Sequence, residues 1–206
     1  MGASALRTLT FLILLNFHSI FAYENKKFAV GAAYYSQNIF NAVSTADSGK
    51  TGLLGETSYP LNLRYEMSLK SKGSWYFAPQ LSYLILPRKT SDDMAKQTFA
   101  HLVFSFGKDF GGRGRADWDW SVGPGIMRYE TKGNGGTTVL SNGTGTATFA
   151  VPGRTITIQK LTTVGGVSYS TGPSRLGIDI IIENLFSSTK RAESLMLSYA
   201  YRFGAF

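Results

Sequence analysis

Few residues in this chain are equipped for chemistry. Its 206 residues include no cysteine and two histidines, His18 and His101. His18 falls in an apolar leader, so histidine-dependent catalysis in the mature chain would have to use His101. Ser105 shares its strand parity, but four strand residues set the two backbones about 13 Å apart, too far for a local nucleophile–base pair. Ser82 or Ser121 on a neighbouring strand could approach it instead. The competing reading is a hydrogen-bonded interior histidine. With one histidine and no thiolate, a zinc site would have only carboxylates to add. No metal or cofactor is expected. Arg64, Glu66, Asp179, Glu183 and Arg202 share the polar parity of their segments, with Lys70 and Arg175 toward one end. Together with His101 they form a candidate interior polar cluster. They read either as an ion path or as ion pairs plugging a narrow interior, where an isolated charge would be costly.

Three motif echoes lead nowhere. Ser48-Gly49-Lys50-Thr51 resembles the end of a phosphate-binding loop, but the required first glycine is Ser44 and no strand–helix unit surrounds it. Asn142-Gly143-Thr144 fits the N-glycosylation pattern but falls in a long connection. Gly111-Gly112-Arg113-Gly114-Arg115 reads as a flexible turn that could touch anionic head groups.

Residues 1–22 read as a cleaved secretory signal: Arg7 at the start, an apolar stretch from Leu9 to Leu15, and small Ala22 at the cleavage point. The stretch is too short to span a bilayer as a helix. Residues 23–206 then form one domain. The full chain carries a formal charge of +8. Arg7 is the only charged residue lost with the leader, which leaves +7. Export makes a nucleic-acid partner unexpected.

The elements that must position these residues announce themselves by a period of two, the strand period. Tyr59, Leu61, Leu63, Tyr65, Met67 and Leu69 take one parity, and Asn62, Arg64, Glu66, Ser68 and Lys70 the other. The alternation returns at Phe28–Tyr34, Trp75–Ile85, Leu102–Phe106, Trp118–Ile126, Leu161–Tyr169, Leu176–Ile182 and Leu195–Phe203. That makes eight segments with no amphipathic helix between them. The opposite parity is polar or small, with glycines that suit a tightly curved interior. Several segments reach 10 to 14 residues, longer than ordinary strands and long enough to cross a bilayer at a tilt. The connections mostly alternate long and short, with 40–56 and 130–153 the longest and a tight turn at Gly172-Pro173. The expectation is an all-β, antiparallel, up-and-down transmembrane β-barrel of eight strands. Ten stays open, because Thr137–Leu140 and Thr146–Val151 could form a further hairpin.

Strand direction sorts the aromatic residues. Trp75, Phe104, Trp118, Trp120, Tyr169, Tyr201 and Phe203 gather at one end, and Tyr34, Tyr59, Tyr83 and Phe186 at the other, around an aliphatic belt. The last segment, Leu197 to Phe203, reads LSYAYRF and is followed by Gly204, Ala205 and Phe206. With Tyr199, Tyr201, Phe203 and Phe206 as its aromatic signature, it resembles the C-terminal signal of bacterial outer-membrane β-barrels. The mature chain resembles the small eight-stranded members of outer-membrane protein A, X or W type. Phe206 departs from the pattern, being out of phase with Phe203.

The resemblance implies an integral outer-membrane location and the barrel-assembly machinery as a partner in biogenesis. Outer-membrane lipid and lipopolysaccharide are the expected surroundings, with Lys50, Arg88, Lys89, Lys132, Arg154, Lys190 and Arg191 near the outer end. The leading expectation is a non-enzymatic anchor whose loops 40–56 and 130–153 make surface contacts. A narrow pore, or a pocket for small apolar molecules using Phe99, Leu84, Leu86, Met127 and Ile181, is the alternative. A lipid A acyl hydrolase or transferase using His101 is a third.

Overall fold

A computed structural model of the chain describes residues 23–37, 39, 44–45, 57–69, 74–89, 95–110, 116–141, 145–187 and 191–204. Eight long strands dominate: β1 (Tyr23–Ser36), β2 (Leu61–Leu69), β3 (Trp75–Tyr83), β4 (Ala95–Asp109), β5 (Ala116–Gly133), β6 (Thr155–Thr171), β7 (Ser174–Glu183) and β8 (Ala192–Gly204). Each pairs antiparallel with its sequence neighbours. β8 then returns to β1, in register from Lys27↔Gly204 to Ser36↔Leu195. The sheet closes on itself, so the barrel wall has no free edge.

The number of barrel strands is eight. Thr137–Ser141 and Thr146–Ala150 do pair, but with each other and with Ser44–Thr45, in a separate three-stranded sheet. The fifth strand runs further than its apolar stripe suggests. β5 and β6 stay paired out to Lys132↔Thr155, so much of the expected loop 130–153 is a strand end carrying that hairpin. The apolar stripe stops at Ile126 because Arg128, Glu130 and Lys132 follow on the same outward parity, all exposed. Backbone pairing outlasts the apolar environment. At the other end β6 and β7 meet in the tight turn read from Gly172-Pro173, paired Thr171↔Ser174, with Gly172 at φ +54°. That left-handed conformation is one a side chain would resist.

Burial follows parity, and its sense is inverted. On β7, Arg175, Gly177, Asp179, Ile181 and Glu183 are buried while Leu176, Ile178 and Ile180 are about half exposed. A water-soluble sandwich would bury the aliphatic set. Here it forms an outer belt, continued by Val122, Ile126, Val167 and Leu197. The aromatic girdle lies at the barrel end where β1 begins. Trp118 meets Tyr169 at 5.0 Å between ring centroids, Trp75 meets Trp120 at 5.8 Å, and Tyr201 meets Phe203 at 4.9 Å. Phe77 also faces outward, but Phe104 and Phe106 pack over it and bury it. At the opposite end Tyr34 meets Tyr59 at 5.9 Å. Phe203 and Tyr199 are outward and exposed. Phe206, like Lys50 and Lys70, lies outside the described residues.

Candidate functional site

Inward parity from all eight strands fills the lumen with three stacked layers. The lowest, toward the aromatic girdle, is ionic. Arg64 on β2 donates from Nε to Glu66 Oε1 at 2.7 Å, from Nη1 to Gln80 Oε1 at 3.0 Å and from Nη2 to the Tyr76 hydroxyl at 3.2 Å. Tyr76 donates onward to Asp119 Oδ1 at 2.6 Å. Asp119 also accepts from Ser168 Oγ at 2.5 Å and Arg175 Nη2 at 3.2 Å. Arg175 Nε stands 3.5 Å from Glu66. Two guanidiniums are thus interleaved with two carboxylates, and Asp179 shares a hydrogen bond with Gln80 beside them. The backbone makes room for this by omitting side chains. A Cβ on Gly107 would sit 2.3 Å from the Tyr76 ring, and one on Gly166 would overlap the Asp179 carboxylate.

The middle layer holds His101. Its Nε2 lies 2.9 Å from Thr162 Oγ1, and its Nδ1 has no hydrogen-bond partner among the described residues. Ser82 is its register partner on β3, yet the Ser82 hydroxyl points to Met196 Sδ at 3.7 Å. Ser121 pairs with Gly107 instead of His101, and Ser105 donates to the Ala78 carbonyl. Among the described residues no serine stands in the position of a nucleophile on this histidine.

The upper layer is apolar and closes with tyrosines. Leu84, Phe99, Met127, Ile181 and Met196 pack together, all buried, and Val103 and Val164 extend the cluster past His101 toward the ionic layer. Above them the Tyr35 hydroxyl meets Tyr129 at 3.0 Å and Ser194 at 3.1 Å. Tyr129 donates to Glu183, whose other oxygen accepts from Lys160. Leu86 does not belong to this layer. It is 79% exposed and outside the wall, because the chain leaves the ladder after Tyr83 and parity no longer sets direction.

The six residues read as one interior cluster therefore occupy four places. Arg64, Glu66 and Asp179 lie in the ionic layer, His101 in the middle and Glu183 at the top. Arg202 caps the β6–β7 turn by donating to the Gly172 carbonyl at 2.8 Å. Asp119, Tyr76, Tyr129 and Tyr35 complete the network, and sequence reasoning passed over them. Their signal was parity: Asp119 alternates with Trp118 and Trp120, and Tyr76 shares the face of Gln80 and Ser82. Among so many outward rings, an inward tyrosine is easily counted with the girdle.

No family model matches the chain, and no curated protein matches it. Among solved structures it is similar to Ail, the attachment invasion locus protein of Yersinia pestis, at 13% identity and a TM-score of 0.45, covering 88% of this chain and 100% of that one. Neisserial surface protein A is similar at 14% identity and a TM-score of 0.47, over 88% and 100% of the two chains. The outer membrane protein OprG of Pseudomonas aeruginosa is similar at 8% identity and a TM-score of 0.43, over 89% and 99%. The chain itself is an all-β, closed, eight-stranded antiparallel barrel, apolar outside and polar within.

Proposed function

We propose that the chain is an integral outer-membrane barrel that anchors a surface structure. In this reading residues 1–22 direct export and are removed, and the barrel-assembly machinery inserts residues 23–206. The carrying observation is the inversion of polarity: the aliphatic parity is exposed while Arg64, Asp119, Arg175 and Asp179 are buried. Only a surrounding hydrocarbon phase makes both halves favourable. The aromatic girdle supports the same reading, since rings with polar edges suit the boundary between hydrocarbon and water.

The layered lumen favours an anchor over a pore. Tyr35, Met127, Ile181, Met196 and His101 are fully buried in it, as expected for eight strands whose interior is just wide enough for side chains. Planar-bilayer recordings are expected to stay silent, and steady single-channel steps would argue for a pore. The Ser82–Met196 and His101–Thr162 contacts favour a structural histidine over a lipid A acyl hydrolase or transferase. The surface contacts would then come from the hairpin Thr137–Ala150 and the loop of residues 40–56, with exposed Lys132 and Arg154 suited to lipopolysaccharide phosphates. Protease treatment of intact cells with mapped cut sites tests the sidedness. Cuts are expected within 40–56 and 134–153. Cuts confined to the short turns at 70–74 and 172–173 would reverse the topology.

A further inference from the structure

Two stretches of outward apolar surface do not belong to the strand ladder. After Tyr83↔Ala100, pairing of the β3 side resumes at Arg88↔Gln97. Four residues, 84–87, thus stand opposite two, 98–99, and the excess chain bulges from the wall. Leu84 turns inward, while Ile85 and Leu86 project outward at 58% and 79% exposure. On β7 the ladder ends near Asn184, whose φ of 51° reverses the chain. Ser187 N donates back to the Asn184 carbonyl at 2.9 Å. The tip of that turn is Leu185 and the wholly exposed Phe186. β3 and β7 are four strands apart in either direction around the closed sheet, so the two turns lie on opposite sides of the barrel, both at its outer end.

We propose that these turns, 84–87 and 184–187, are paired wedges that insert into the acyl region of the outer leaflet and fix the depth and tilt of the barrel. This rests on the outer-membrane reading above. Three observations point to lipid as the occupant. Each tip continues the apolar belt, one beyond Leu81 and Tyr83, the other beside Leu161. Each is followed in the sequence by a basic pair, Arg88-Lys89 and Lys190-Arg191, the order expected where a chain re-emerges through phosphate head groups. Beside the second tip, Leu161, Pro124, Thr163, Leu185 and Phe186 line a hollow of about 400 Å³ on the outer wall. Its apolar sides suit an acyl chain. Two wedges on opposite sides resist rocking in a way that one could not, because each leaves the acyl phase only if the barrel rises or tips.

The absence of cysteine allows single labelling sites. Leu86→Cys, Phe186→Cys, Ile178→Cys and Lys132→Cys, each carrying a nitroxide, are to be folded into vesicles mixing zwitterionic and anionic phospholipid. Heat-modifiable mobility on gels checks folding. The ratio of collision with oxygen to collision with a water-soluble nickel chelate reports the phase. Labels at 86 and 186 are expected to match 178, several-fold above the ratio at 132. If either matches 132 while 178 remains in lipid, the paired wedges are overturned and the barrel stands. If 178 itself reports water, the membrane reading falls, and the wedges with it. Hydroxyl-radical footprinting of the unsubstituted protein in the same vesicles gives an independent answer. Phe186 is expected to be protected, and oxidation at the rate of the urea-unfolded chain would overturn the proposal.

Discussion

Asp119 binds the ionic layer together. It accepts from Tyr76, Ser168 and Arg175, three donors from three strands. Asp119→Ala leaves two buried guanidiniums to share Glu66 as their one remaining ion-pair partner among the described residues. Breaking a buried pair by removing one partner costs about 3–5 kcal/mol, because the charge left behind stays desolvated. Urea unfolding of the micelle-folded barrel should show a loss of that order, and a loss under 1 kcal/mol would mean that water already solvates the layer. His101 makes a contrasting case. The hydrogen bond from its ring to Thr162 is worth only about 0.5–1.5 kcal/mol net. His101→Gln should fold with little loss and leave the lipid A of producing cells unchanged, as read by mass spectrometry. Altered acylation would instead revive the enzymatic reading.

Among the elements, β7 states the folding rule most plainly, and there the sequence was fully legible. Apart from Ile181, which joins the inward parity, its apolar residues keep to one parity and its polar or small residues to the other, so two faces and their opposite environments follow from the alternation. Ile178→Arg sets a charge in the middle of the outer belt and should destabilise the folded barrel by about 2–4 kcal/mol. Ile181→Arg on the inner face would fail differently, by overpacking the apolar layer. A temperature-insensitive fold for Ile178→Arg in vesicles would contradict the assignment of faces. Parity does not reveal partners. Which carboxylate meets Arg64 depends on the stagger at which the sheet closes, and closure is set jointly by every hairpin. Hence Glu66, two residues away on the same face, could be guessed, but the link through Tyr76 to Asp119, 55 positions on, could not. Leu86 was misread for a related reason, since a bulge breaks the alternation that assigns sides. The outer hairpin is a separable element. It pairs with Ser44–Thr45 and adds nothing to the barrel ladder. Deleting residues 134–153 and joining the ends with a short turn should leave heat-modifiable folding intact. Loss of folding would make the hairpin part of the barrel's own stability.

At the scale of the whole molecule, the layers and the wall answer a single constraint. The closed sheet gives every barrel strand a partner on both sides, and Arg64, Arg175, Glu66 and Asp119 meet opposite charges in the ionic layer. The aliphatic side chains gain nothing from each other across the lumen, since they point away from it. Their burial must come from outside, and the fold is stable only where hydrocarbon supplies it. The most direct test compares residues 23–206 in plain buffer with the same chain in detergent micelles. Circular dichroism, gel mobility with and without heating, and sedimentation would be read on both. Compact, heat-modifiable β-structure should form in micelles alone, and the detergent-free sample should be unfolded or aggregated. A soluble, folded monomer in plain buffer would show that the aliphatic face is packed within the protein after all.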